Sequence, residues 1–82
     1  HAGAGVKAFL VDDEPLALRR LRRMLEETGR VTVVGETTDP RMVLDGLDGA
    51  DVLFLDIEMP GLTGFDVLER LIKPPLVVFT TA

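Results

Sequence analysis

The sequence predicts an α/β fold, a doubly wound parallel sheet with helices on both faces. Three observations predict it. Four short apolar runs occupy residues 6–11, 31–35, 52–55 and 76–79, and stretches of helical periodicity separate them. The runs are apolar nearly throughout, which suits strands buried on both faces better than strands with one wet face. Strands alternating with helices imply parallel pairing through right-handed crossovers.

The first run, Val-Lys-Ala-Phe-Leu-Val, stops at Asp12-Asp13-Glu14. Pro15 then fits a first helical turn, where its missing N–H has no intrahelical partner. Leu18, Leu21 and Leu25, flanked by Ala17 and Met24, recur at helical spacing, with Arg19, Arg20, Arg22 and Arg23 on the opposite side. Gly29 is the expected stop. Residues 31–35 are rich in β-branched side chains, as strands are. Asp39-Pro40 reads as a cap followed by a first-turn proline, opening a weaker helix with Met42, Val43 and Leu47 on one side. The third strand, 52–55, ends at Asp56. Met59-Pro60-Gly61 marks a turn, and Phe65, Leu68, Leu71 and Ile72 give a third helix that Pro74-Pro75 ends. The fourth strand, 76–79, runs into Thr80-Thr81-Ala82. The order is β-α-β-α-β-α-β.

Eighty-two residues permit one small domain, and a chain of this size buries only roughly 60% of its unfolded surface. A 46% apolar, 28% charged composition is globular. The net charge of −5 argues against nucleic-acid contact by this segment, which needs a basic face. The absence of cysteine excludes disulfides and thiolate sites and fits the cytoplasm, the expected location. No run approaches the ~20 apolar residues of a membrane span. His1-Ala2-Gly3-Ala4-Gly5 reads as an expression scar, so the domain is assigned to residues 6–82.

In open parallel sheets, ligands bind beyond the carboxyl ends of the strands. Asp12 and Asp13 follow the first strand, Asp56 the third, and Thr80-Thr81 the fourth. A doubly wound sheet sets the first and third strands side by side, so Asp13 and Asp56 should converge. Clustered carboxylates raise one another's pKa. A hard cation relieves this, and Mg²⁺ suits one or two carboxylates with waters and phosphate oxygens. A carboxylate is also a nucleophile toward phosphorus. The spacing therefore predicts a Mg²⁺-dependent phosphoacceptor. Blander readings stand beside it: Glu14 and Asp39 as helix caps, Asp12 and Asp13 as caps of the first helix, Asp56 as a turn cap. Thr81 taken alone is a strand-end residue, and the arginines a solvated face. The joint placement of the acids and threonines at the appropriate strand ends is what favours the chemistry.

Val11-Asp12-Asp13-Glu14-Pro15 and the run from Leu55-Asp56-Ile57-Glu58-Met59-Pro60-Gly61 to Gly64 resemble the two acidic signatures of bacterial two-component receiver domains. Thr81-Ala82 is similar to the family's hydroxyl-small pair. The flavour is most similar to receivers attached to LytTR-type DNA-binding domains. The resemblance covers essentially all of the chain after the scar. It implies a flavodoxin-like (CheY-like) sheet and a phosphoryl group taken by Asp56 from a sensor histidine kinase or a small phosphodonor. It implies Mg²⁺ bound directly by Asp13 and Asp56, by Asp12 mainly through water, and by the Glu58 backbone carbonyl. Thr81 would hydrogen-bond the phosphoryl group, Ala82 would leave room above the acceptor, and the amino end of the first helix would face the kinase. Such a domain catalyses only its own phosphorylation and dephosphorylation and is not otherwise an enzyme. It switches an output, transcription being the expected one, in a parent protein.

The family's fifth strand, with its phosphoryl-pairing lysine, and its last two helices would lie beyond Ala82. Lys73, before Pro74, is not placed to substitute. The sequence thus reads as an incomplete, C-terminally truncated receiver whose strand 76–79, from Leu76 through Phe79, becomes a sheet edge. An apolar edge is a template for pairing. The expected consequence is a homodimer or exchange of elements through this strand. The alternative function is accordingly a phosphorylation-independent self-association or partner-binding module. A Mg²⁺-dependent phosphohydrolase fits less well, since Glu58, two residues after Asp56, is better explained by its carbonyl.

Overall fold

The structure is a computed structural model that describes residues 5–42, 49–56 and 75–80. Its strands are β1 (Val6–Val11), β2 (Val31–Thr37), β3 (Val52–Asp56) and β4 (Leu76–Thr80), with one helix, α1 (Pro15–Glu27), and a 3₁₀ turn at Pro40–Met42. All pairings are parallel and the order is β2-β1-β3-β4. It sets β1 beside β3, as expected of a doubly wound sheet. The predicted helices carrying Val43 and Leu47, and Phe65, Leu68, Leu71 and Ile72, lie outside the described residues.

The two central strands carry the core. Leu10, Val11, Leu53 and Leu55 are almost completely buried. Ala8, Leu10 and Val33 form one cluster with Leu18 of α1, and Leu21, Leu25, Val31 and Phe54 pack against it. Leu18, Leu21 and Leu25 share one side of α1, which explains why the helix lies over β2 and β1. Met24 does not join them and is 63% exposed. It falls one position off the stripe, where the helix surface has already turned to solvent. Fully burying a side chain the size of leucine contributes about 1.5–3 kcal/mol, so this central layer dominates the stability of the described fold.

Two terminations fix the ends of α1. Pro15 occupies its first turn, and after Glu27 the chain reverses through Gly29, whose φ of 70° is the left-handed conformation glycine adopts without strain. The Gly29 N–H donates to Glu26 O at 3.1 Å and the Thr28 hydroxyl to Leu25 O at 2.7 Å. Glu14, expected to cap the helix, makes no side-chain cap bond; only its carbonyl serves, accepting the Leu18 N–H at 3.2 Å. Arg22 is tied down more firmly than a solvated face requires. It pairs with Glu36 of β2 and lies 3.6 Å from Glu26.

The second strand is two residues longer than its sequence pattern. The register with β1 shifts between Ala8 and Phe9: Ala8 pairs with Val33 and Phe9 with Gly35, which leaves Val34 as the extra residue of a bulge. The strand continues past Gly35. A Cβ there would stand 2.6 Å from Cε2 of the buried Phe9 ring, so the ring occupies the space a side chain would need. Alanine at this position would cost about 1–3 kcal/mol by overpacking. The bulge carries β2 on to Thr37, level with Val11 at the end of β1.

At the opposite edge of the sheet, Asp51 joins three strands where they begin. Its carboxylate accepts the Lys7 N–H at 2.9 Å, its N–H donates to Lys7 O at 2.7 Å, and its carbonyl accepts the Leu76 N–H at 3.3 Å. These bonds set the register of β1 against β3 and β4, and hence which residues meet at the far end. Among the described residues no helix is long and apolar enough to cross a membrane.

Candidate functional site

Because every strand runs the same way, their carboxyl ends share one edge of the sheet. Val11 pairs with Leu55 across β1 and β3, so the next residues, Asp12 and Asp56, leave the pairing level with each other. One carboxylate oxygen from each of Asp12, Asp13 and Asp56 lies within 4.8 Å of the others. Asp12 and Asp56 are 6% and 2% exposed, and Asp13 is half-buried. The convergence expected from the sequence is present.

Burial and like charge act together on Asp12. Desolvation is the largest influence raising its pKa above the ordinary carboxylate value. The Glu14 N–H, donating to Oδ1 at 2.9 Å, opposes it, and the charges of Asp56, Asp13 and Glu14 add to the rise. A buried acid in this position gains from any cation brought beside it. The donor set is all hard oxygen, and half-exposed Asp13 leaves one side open to solvent, which fits Mg²⁺ with retained waters. Asp12, Asp13 and Asp56 would hold it. Glu58, assigned a carbonyl ligand, and Thr81, assigned to the phosphoryl group, lie outside the described residues, as does Ala82. The end of β4 is nonetheless beside the acid cluster, because Thr80 is the Cα partner of Asp56.

The loop after β2 closes the other flank. Thr37 O accepts the Asp12 N–H at 3.3 Å, and the Thr37 hydroxyl accepts the Asp39 N–H at 3.0 Å. Asp39 caps as expected: its Oδ1 accepts the Arg41 N–H at 3.0 Å at the start of the 3₁₀ turn. The Arg41 guanidinium also grips the same carboxylate through Nε and Nη2 and holds Asp39 below the usual carboxylate range. Sequence reasoning missed the Thr37 carbonyl, since a backbone acceptor leaves no mark in residue type. It also treated capping and ion binding by Asp12 as rivals, whereas the structure gives Asp12 a backbone bond and a place in the acid cluster. The signal was legible in principle: an Asp two residues before a free N–H is the spacing of an Asx turn.

A family model described as the response regulator receiver domain matches residues 8–82. An uncharacterized response regulatory protein of Vibrio parahaemolyticus is 42% identical over 79 residues, spanning 92% of this chain and 33% of that protein. The sensory transduction protein LytT of Bacillus anthracis is 37% identical over 82 residues, spanning 94% of this chain and 33% of that protein. The response regulator domain of Thermotoga maritima CheB superposes with a TM-score of 0.84 at 25% identity, over 94% of this chain and 60% of that one. The chain thus spans about a third of the length of the curated relatives it matches.

The raised pKa of Asp12 has a definite sign for stability. The folded state holds the Asp12 proton more tightly than the unfolded state, so this group's contribution is fully present below the ordinary carboxylate pKa. It is lost as pH rises through the raised value. Asp12→Asn, which removes the buried charge and keeps an acceptor oxygen, should raise the melting temperature of the metal-free protein at pH 7. That gain should shrink as pH falls toward the ordinary carboxylate range. Thermal unfolding of both proteins across pH decides this. A constant gain, or a loss at neutral pH, would contradict it.

Proposed function

The chain belongs to the response regulator receiver family, and from that premise we propose that Asp56 accepts a phosphoryl group from a sensor histidine kinase or a small phosphodonor. The observation that carries this reading is the meeting of Asp12, Asp13 and Asp56 at the carboxyl ends of adjacent parallel strands. An Asp56 oxygen forms a bond to phosphorus as the P–N bond of the phosphohistidine breaks. The electron pair returns to the imidazole nitrogen, which takes a proton from water. Mg²⁺, when bound, supplies positive charge to the phosphoryl oxygens. Asp13 and Asp56 would bind it directly, and Asp12 mainly through water. The Glu58 carbonyl, assigned from the family resemblance, would be a further ligand. Burial of Asp56 at a strand end keeps the nucleophile fixed, and phosphoryl transfer depends mainly on such positioning and on charge. The Thr81 hydroxyl donates to a phosphoryl oxygen.

On this reading the chain catalyses only its own phosphorylation and dephosphorylation and is not otherwise an enzyme. In the parent protein the acyl phosphate would switch an output, with transcription favoured by the likeness to the transcriptional regulatory protein BtsR of Escherichia coli, 38% identical over 84 residues; the expected location is the cytoplasm. Intact mass after incubation with Mg²⁺ and an acyl phosphate donor should show one phosphoryl adduct, absent in Asp56→Asn and absent when Mg²⁺ is chelated. An adduct that persists in Asp56→Asn, or none on the unaltered chain, would overturn this assignment.

A second reading is favoured by one feature. On β4, Leu76 is 69% exposed, Val78 38% and Phe79 40%, an apolar strand without a charge along its length. Such a strand favours association of two copies or exchange of elements through this region, independent of phosphorylation. Light scattering on the 82-residue chain should then give a dimer mass at high concentration, and Val78→Lys should return it to monomer. A monomer at all concentrations would exclude this reading.

A further inference from the structure

Asp12 has two attachments that the phosphoacceptor reading does not use. Its Oδ1 accepts the Glu14 N–H at 2.9 Å, and its own N–H reaches Thr37 O at 3.3 Å. Between Asp12 and Glu14 stands Asp13, the carboxylate given the most direct hold on the cation. Glu14 in turn starts α1, since its carbonyl accepts the Leu18 N–H, and its own carboxylate caps nothing. The turn from the end of β1 into α1 is therefore closed by the Asp12 side chain at its base. Pro15 adds no N–H to help, being at the first helical position.

We infer that Asp12 is a positioning residue: its Oδ1, by holding the Glu14 amide, fixes the short β1–α1 turn and with it the place of Asp13 beside Asp56. This rests on the phosphoacceptor reading for its purpose and on the hydrogen bond for its mechanism. The two parts separate chemically. Holding an amide N–H needs only a neutral acceptor oxygen at the right reach, whereas drawing in a cation needs charge. A residue that keeps the oxygen and loses the charge should lose one role and retain the other. An asparagine has that oxygen in the same position. Alanine has neither, and serine offers a weaker acceptor of the same turn type.

Removing the same charge in two ways is the test, carried out on the full chain with two readouts. The first is exchange of the Glu14 and Leu18 amide protons, followed by NMR without metal. The second is the Mg²⁺ dissociation constant, from the shifts of the same amides. Asp12→Asn should leave Glu14 exchange near that of the unaltered protein, while Asp12→Ala speeds it roughly two- to tenfold, the factor corresponding to one net hydrogen bond. Asp12→Ser should fall between them, and serves should the alanine variant not fold. Both Asn and Ala weaken Mg²⁺ binding, but Ala weakens it further by a similar factor although the charge lost is identical. Equal exchange and equal Mg²⁺ affinity in Asp12→Asn and Asp12→Ala would overturn the inference. If the unaltered chain binds no Mg²⁺ at all, the phosphoacceptor reading fails, while faster Glu14 exchange in Asp12→Ala alone still supports the positioning role.

Discussion

The carboxylates of Asp12, Asp13 and Asp56 are held closer together than their charges favour, and the parallel pairing of β1 with β3 holds them there. Two unit charges at such a separation repel by on the order of 3 kcal/mol at an effective dielectric of about 20. Leu10, Val11, Leu53 and Leu55, buried just before the acids on the same two strands, each contribute about 1.5–3 kcal/mol. The strands are thus anchored well enough to carry an unfavourable cluster at their ends. The cluster lies at the edge of the sheet where the strands end and a cation would relieve it, and the strands set its geometry.

That geometry is controlled from both ends of the sheet. Asp51 fixes the relative start of β1, β3 and β4 through its carboxylate, N–H and carbonyl. A slip of one residue there would turn every following side chain to the other face and separate Asp12 from Asp56. At the far end, the bulge at Val34 carries β2 on to Thr37, whose carbonyl receives the Asp12 N–H. The Phe9 ring over Gly35 is part of the same arrangement, because it lets β2 continue where a side chain would have forced it away. Packing in the middle of the sheet and chemistry at its edge are thereby linked through short, named contacts.

Much of this was legible in the sequence. Four apolar runs gave the strands, and the helices alternating with them gave the parallel pairing. The acidic residues fall where those runs stop, so a parallel sheet had to bring them together. The departures have physical causes. The sequence pattern carries the second strand only as far as Gly35, whose reason for being glycine is a ring distant in sequence. Glu14 looked like a cap, yet its carboxylate makes no such bond and Asp12 closes the turn from two residues earlier. Met24 looked like core, but the helix face turns away one position too soon for it. Asp51 drew no notice, as nothing in an acid beside a strand reveals that three strands meet on it. Backbone acceptors and long-range side-chain contacts leave little trace in composition or periodicity, whereas burial patterns leave a clear one.

On the proposed reading, parallel strand ends assemble an oxygen-lined site for a cation and a phosphoryl group. Titration of the metal-free chain with Mg²⁺, followed residue by residue in amide NMR spectra, tests it most directly. Saturable shifts should concentrate at residues 12–14 and 56, with the exposed acids of α1, Glu26 and Glu27, unchanged. Shifts spread evenly over the surface acids, or none that saturates at the ends of β1 and β3, would contradict it.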